Sequence, residues 1–164
     1  MLIPLNIIPW DMAAGPRAAK IRLLERSAEG ARTATFSSAW TGMWIASPRN
    51  RESLSAIKGL EDIHSPGVYL LTGEDPELGS RPKMYIGESD KMWDRIYQHD
   101  RGDKDFWNSI YGVVSKSRDS ELNKTNILYL ESLAISKAKE IHRADVVNKT
   151  APSPPQIGDI ERDE

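Results

Sequence analysis

Apolar positions along the chain recur either at every second residue in short runs or at helical spacing in longer ones, and the switching between the two patterns sets the expected elements. Residues 1–17 fit neither, because Pro4, Pro9, Gly15 and Pro16 interrupt them, so an irregular arm is expected there. The run AKIRLLERS (19–27) fits a strand or a short helix, and Glu29-Gly30 turns the chain into ARTATFS, where Thr33, Thr35 and Phe36 favour a strand. TGMWIASP (41–48) reads as another strand, stopped by Pro48. Asn50 or Ser53 then caps a helix that carries Leu54, Ile57, Leu60 and Ile63 at helical spacing.

The turn Ser65-Pro66-Gly67 opens GVYLLTG, a strand that ends at Gly73 before the polar loop EDPELGSRP. MYIGES (84–89) is the next strand, and Ser89 or Asp90 caps a helix through KMWDRIYQH, with Asp90 and Asp94 at its positive end. Phe106 and Trp107 precede YGVVSKS (111–117), the third strand of this region. Asp119 or Ser120 starts the longest helix, ELNKTNILYLESLAISKAKEIH, after which the chain turns Pro-rich and acidic.

This order predicts an α+β fold in three parts. Residues 1–64 form an arm and a small α/β appendage, residues 65–150 a three-stranded antiparallel sheet flanked by helices, and residues 151–164 a tail. The 164 residues, 39% hydrophobic and 28% charged, suit one domain or a core with an appendage. Trp40 and Trp44 in the appendage read as core rather than as a base-stacking platform, given the area a Trp buries.

The absence of cysteine excludes disulfides, zinc–thiolate sites and a cysteine nucleophile, so any metal must rest on oxygen or imidazole ligands. The first fifteen residues lack the positive stretch of a secretory signal, and no run approaches the roughly 20 apolar residues of a membrane span. A cytoplasmic protein without a membrane partner is the expectation. The net charge of −2 gives no support for nucleic-acid binding, which often shows a basic excess.

Two helices carry candidate chemistry. Met92, Trp93, Ile96 and Tyr97 form an apolar stripe with Arg95 and His99 one turn apart along its edge, where a guanidinium and an imidazole can share an anion. A solvated face with an ion pair to Asp94 or Asp103 has the same spacing. In the long helix Ile127, Leu130, Ala134, Ala138 and Ile141 share an arc that Leu128 and Ile135 extend, and Glu131 falls inside it. A carboxylate there either binds a metal or escapes to a groove rim or an Arg, because a buried unpaired charge is costly.

Gly67-Val68-Tyr69 and Tyr85-Ile86-Gly87 are individually ordinary strand sequence. Their order, followed by Arg95, His99, a third strand and Glu131, resembles the GIY-YIG nuclease family over about residues 65–150. That family's signature is two tyrosine triplets, a helical Arg, often a His one turn on, a downstream metal-binding Glu and frequently a later Asn. Here Val68 replaces the Ile of the first triplet, and Asn148 is the best match for the Asn. The stretch ARTATFSSAWTGMWIASPRNR is also similar to the leader of bacterial members of the family, several of which continue beyond the point where this chain stops.

The resemblance implies a metal-dependent endonuclease that hydrolyses DNA phosphodiester bonds. Glu131 would hold one Mg²⁺, with Mn²⁺ able to substitute, and Arg95 would relieve charge on the phosphate. Tyr69 or His99 would be the general base, since a tyrosine with a pKa of about 10 needs help that an imidazole does not. Tyr85 and Gly87 would complete the phosphate-binding network, and Asn148 would position phosphate or metal-bound water. Arg81, Lys83, Lys116, Arg118 and Lys124 are candidate phosphate contacts or ordinary solubility charge; residues 81–124 hold nine Lys or Arg against eight Asp or Glu. A single site must nick, reset for the second strand, or work as a homodimer. The rival expectations are a non-catalytic interaction module on the same fold and a nuclease for RNA or branched DNA.

Overall fold

The alternating segments find one another in a single sheet. The computed structural model of the chain describes residues 20–25, 30–37, 41–74, 81–115, 122–149 and 153–155. Its strands are β1 (Lys20–Glu25), β2 (Arg32–Ser37), β3 (Thr41–Pro48), β4 (Gly67–Gly73), β5 (Lys83–Ser89), β6 (Ser109–Ser115) and the two-residue β7 (Asp145–Val146). They lie in the order β1-β2-β3-β6-β4-β5-β7, antiparallel throughout except for the short parallel pairing of β7 with β5. The helices are α1 (Arg51–Lys58), α2 (Met92–Gln98) and α3 (Lys124–Ile141), with a 3₁₀ turn at Glu61–His64 and a π-turn at His99–Asp103.

The α+β class stands, and the expected three-stranded sheet does not. β4, β5 and β6 form its centre, but β3 pairs with β6 from Gly42↔Ser115 to Pro48↔Ser109, so β1–β3 continue the same sheet across residue 64. The physical reason is the outer edge of β6. Without β3 it would present a row of unpaired backbone donors and acceptors.

Local signals account for most of the helix ends. Asn50 caps α1 by accepting from the Ser53 amide at 2.7 Å, and the helix stops at Lys58, so Leu60 and Ile63 belong to the 3₁₀ turn rather than to a longer helix. α2 begins without a side-chain cap; Ser89 instead accepts from the Lys91 amide at 3.1 Å and orders the turn before it. α3 starts at Lys124, capped by Asn123 through the Asn126 amide at 3.0 Å, later than the expected start at Asp119 or Ser120, which lie outside the described residues. It ends on His142, whose φ of 55° is left-handed. Residues 1–17, Trp40, the Trp44 side chain and most of the tail lie outside the described residues as well.

The sheet separates two apolar layers. On one face Ile45, Leu71, Ile110 and Val114 pack against Leu54 and Ile57 of α1, Ile63 of the 3₁₀ turn, and Met92 and Ile96 of α2. On the other, Val68 and Ile86 meet Ile127 and Ile135 of α3. Full burial of each such side chain contributes about 1.5–3 kcal/mol, so the two layers fix α2 and α3 on opposite sides of β4 and β5. Arg49 ties the end of β3 to the π-turn. Its Nε donates to Asp100 Oδ1 at 2.9 Å, its Nη2 to the Asp100 carbonyl at 2.7 Å, and its guanidinium lies 4.5 Å from the Trp107 ring centre. No helix among the described residues is long and apolar enough to cross a membrane.

Candidate active site

Strand alternation sends Tyr69 and Leu71 to the α2 side of the sheet, and the β4–β5 register sets Tyr69 opposite Gly87 and Leu71 opposite Tyr85. The two tyrosines are therefore diagonal neighbours, with ring centres 6.2 Å apart. Gly87 makes room between them. A Cβ at that position would collide with the Tyr69 hydroxyl and lie 2.6 Å from Tyr69 Cζ, so the second triplet needs its glycine because the first needs its tyrosine.

α2 lies across this pair and contributes His99 at its end. The Tyr69 hydroxyl and His99 Nε2 are 2.8 Å apart, both residues are 0% exposed, and the Tyr85 ring meets the His99 ring edge-on at 5.6 Å. Burial, reinforced by Tyr85, pushes the Tyr69 hydroxyl well above its ordinary pKa, while Arg95 pulls the other way. Tyr69 is thus held in its protonated form, and its hydroxyl shares a hydrogen bond with His99 Nε2 whose direction follows the imidazole tautomer. His99 also opens the turn that follows α2, and its carbonyl accepts from Trp107 Nε1 at 3.4 Å.

Arg95 sits one turn earlier, half-buried, with Nη1 donating to Gln98 Oε1 at 2.8 Å. Burial works against its charge, yet interactions with Tyr69 and then Tyr85 outweigh that and hold the guanidinium above its ordinary value. The guanidinium thus interacts with both tyrosines of the triplets as well as with Gln98. Lys104, which the sequence did not single out, adds a second cation, with Nζ 4.1 Å from the Tyr85 ring centre. The π-turn brings it there by reversing direction at Gly102 (φ 124°), and no periodic pattern signals such a reversal.

Glu131 stands apart from this group, on α3 and beside the outer edge of β5. Its carboxyl is raised first by burial and then by the charge of Glu88, against the pull of Lys124 and of the Glu88 backbone. Glu88 in turn accepts from Lys124 Nζ at 2.6 Å, and Lys124 also reaches Asp90 at 3.4 Å. Lys124 is thus paired with two carboxylates while its side chain stays half exposed. Glu88 was legible in principle, since alternation in β5 places it with Met84 and Ile86 on the α3 side. Among the described residues no group of three or more His, Asp or Glu forms. A hard cation that keeps most of its waters needs fewer protein ligands than that, and two mutually repelling carboxylates suit one.

Asn148 occupies the same β5 edge in a structural capacity. The Asp145 amide donates to the Pro82 carbonyl and the Val147 amide to the Met84 carbonyl, both at 2.9 Å. The Asn148 side chain then supplies the next rung, accepting from the Ile86 amide at 3.0 Å and donating to the Ile86 carbonyl at 2.7 Å. One donor and one acceptor site of its amide thus hold β5 in place. Asn148→Ala is expected to lower the urea midpoint of unfolding, at a cost of about 1–3 kcal/mol for the unpaired Ile86 groups. An unchanged midpoint would overturn that assignment.

Of the remaining candidates, Arg81 is exposed just before β5 and Lys83 is half-buried at its start. Lys116 and Arg118 lie outside the described residues. The structure therefore gathers Tyr69, Tyr85, Arg95 and His99 near Gly87, sets Glu131 near Glu88, and pairs Asn148 with the Ile86 backbone and Lys124 with Glu88 and Asp90. No family model, curated protein or solved structure matches the chain.

Proposed function

We propose that the chain is a metal-dependent endonuclease of the GIY-YIG type that hydrolyses DNA phosphodiester bonds. The observation that carries this reading is the 2.8 Å hydrogen bond between the Tyr69 hydroxyl and His99 Nε2, with Arg95 beside it. Phosphodiester hydrolysis needs a base for the attacking water and positive charge for the phosphate. Tyr69 takes the proton of the water as it passes its own to His99, so no free tyrosinate has to form in a buried setting. This joins the two candidate bases into one relay.

Arg95 bears the charge that develops on the phosphate, and its planar fork suits two parallel bonds to phosphate oxygens. Tyr85, half-buried beside Tyr69, orients water or phosphate, with Lys104 Nζ 4.1 Å from its ring centre. Glu131, with Glu88 near it, would hold Mg²⁺ or Mn²⁺. Such an ion supplies charge relief on a phosphate oxygen and on the leaving group. DNA as the substrate, the cytoplasmic location and a homodimer that cuts both strands are parts of the same proposal.

Nicking of supercoiled plasmid by the full chain in Mg²⁺, abolished by EDTA and by Arg95→Ala, is the expected result. Cleavage that ignores EDTA would remove the metal from the proposal, and no cleavage of plasmid, branched DNA or structured RNA would remove the enzyme. The second reading, a non-catalytic module, is favoured by one observation: Tyr69 and His99 are both 0% exposed, as a satisfied core pair would be. The half-buried Arg95 and Tyr85 speak against it, because both interact with that pair and are partly open to solvent.

A further inference from the structure

The opposite flank of α2 carries a groove that the proposed chemistry does not use. At about 100° per residue, Trp93 and Tyr97 lie roughly 120–160° around the helix from Arg95 and His99. With α1 they enclose a cavity of about 370 Å³. Its floor is apolar, from Leu54 and Ile96, and its rim holds Arg49, Arg51 and Lys58 against the single acid Asp100. Arg49 and Asp100 neutralise each other at 2.9 Å. Arg51 and Lys58 are exposed and have no ion-pair partner among the described residues, so the rim is positive in a chain whose net charge is −2.

The aromatic wall is the second feature. The Trp93 and Tyr97 rings are 6.4 Å apart and inclined at 31°, and Tyr97 is 44% exposed although a packed helix normally turns such a ring inward. Cations already lie over both rings, Lys58 Nζ at 5.9 Å from Trp93 and the Arg101 guanidinium at 4.5 Å from Tyr97. A flat, polarisable surface bordered by cations accepts a flat ligand with an attached anion.

We infer that this groove binds an unpaired nucleotide of single-stranded nucleic acid, the base stacking on Trp93 and Tyr97 and the phosphate meeting Arg51 and Lys58. Duplex DNA hides its base faces and could offer the groove only phosphates, whereas an unstacked base fits a cavity of this size. The groove and the Tyr69–His99 pair are separated by α2, a width of about 10 Å. A strand advances about 3.4 Å per nucleotide when stacked in duplex and farther when unstacked, so no more than about three nucleotides cover that width. One strand can therefore reach from the groove to the reactive site, which directs the proposed nuclease toward DNA with a frayed, flapped or branched flank. The inference extends the nuclease reading, and its test keeps the two apart.

Binding of a fluorescent oligothymidylate to the full chain is measured in EDTA, where no turnover is needed, and compared with a duplex of the same length. We expect single strands to bind at least about tenfold more tightly than duplex, and Arg51→Glu/Lys58→Glu to bind about tenfold or more weakly with a shallower salt dependence. Trp93→Leu should weaken binding and Trp93→Phe restore most of it, with melting curves confirming that each variant folds. Equal affinity for single strand and duplex, or wild-type binding by the double charge variant, overturns the inference. If the oligonucleotide binds as expected but no nucleic acid is cut in Mg²⁺, the nuclease reading fails while the groove stands. If plasmid is cut while the groove variants bind as wild type does, the groove fails alone.

Discussion

Tyr69→Phe is expected to slow plasmid nicking by about 10²- to 10⁴-fold, the usual loss when a positioned proton acceptor is removed. The substitution deletes only the hydroxyl that bonds His99 at 2.8 Å and leaves the ring in its packed position. DNA affinity measured in EDTA should therefore change little, which separates a lost proton path from lost binding. His99→Gln should cost a comparable factor. Because the two side chains act as one relay, the double variant should be scarcely slower than either single one, as for residues that work as a unit. A Tyr69→Phe protein that nicks at the wild-type rate would end the relay, and two losses that multiply in the double variant would mean that the residues act separately.

The second large effect is at Glu131. Glu131→Gln is expected to lower Mg²⁺-dependent nicking by roughly 10²- to 10³-fold, since a metal ion offers several kcal/mol of charge stabilisation that the amide cannot recruit. Stability should move the other way. The carboxyl is raised above its ordinary value of 4.5 by burial and by Glu88, so the folded chain binds a proton more tightly than the unfolded one. Stability from this group is then fullest below pH 4.5 and falls as pH rises from there through the raised value of the folded protein.

At neutral pH without metal, the neutral Gln should therefore melt no lower than wild type, and Mg²⁺ should raise the melting temperature of wild type alone. A variant that keeps full activity would remove Glu131 from the metal role. One that loses activity together with its melting temperature would make it a structural residue instead.

Both sites use residues whose order is legible in the sequence. The two triplets, Arg95 and His99 follow local rules: alternation sets Tyr69 and Tyr85 on one face, and helical spacing sets Arg95 and His99 on one edge. The caps at Asn50 and the turn at Ser89 are equally local. Glu131 was visible because a carboxylate in an apolar arc demands an explanation, although the arc did not reveal that Glu88 and Lys124 would stand beside it. Lys104 was invisible, because a π-turn with a positive-φ glycine breaks the periodicity on which such reading depends.

The sequence by itself determined where most strands and helices fall and which of their side chains turn to a common side, because those follow from backbone geometry within a few residues. It left residues 19–27 open between strand and helix and did not signal β7. Only the tertiary structure decided that β3 closes the free edge of β6 and makes one sheet of what reads as an appendage and a core. It alone spent Asn148 on the Ile86 backbone, tied Lys124 to two carboxylates and set the Tyr69 hydroxyl against His99 Nε2 across thirty positions of chain. The reason is common to all four. Unpaired backbone groups, unneutralised charges and buried hydroxyls must be satisfied by whatever folding brings near, and distance along the chain does not say what that will be.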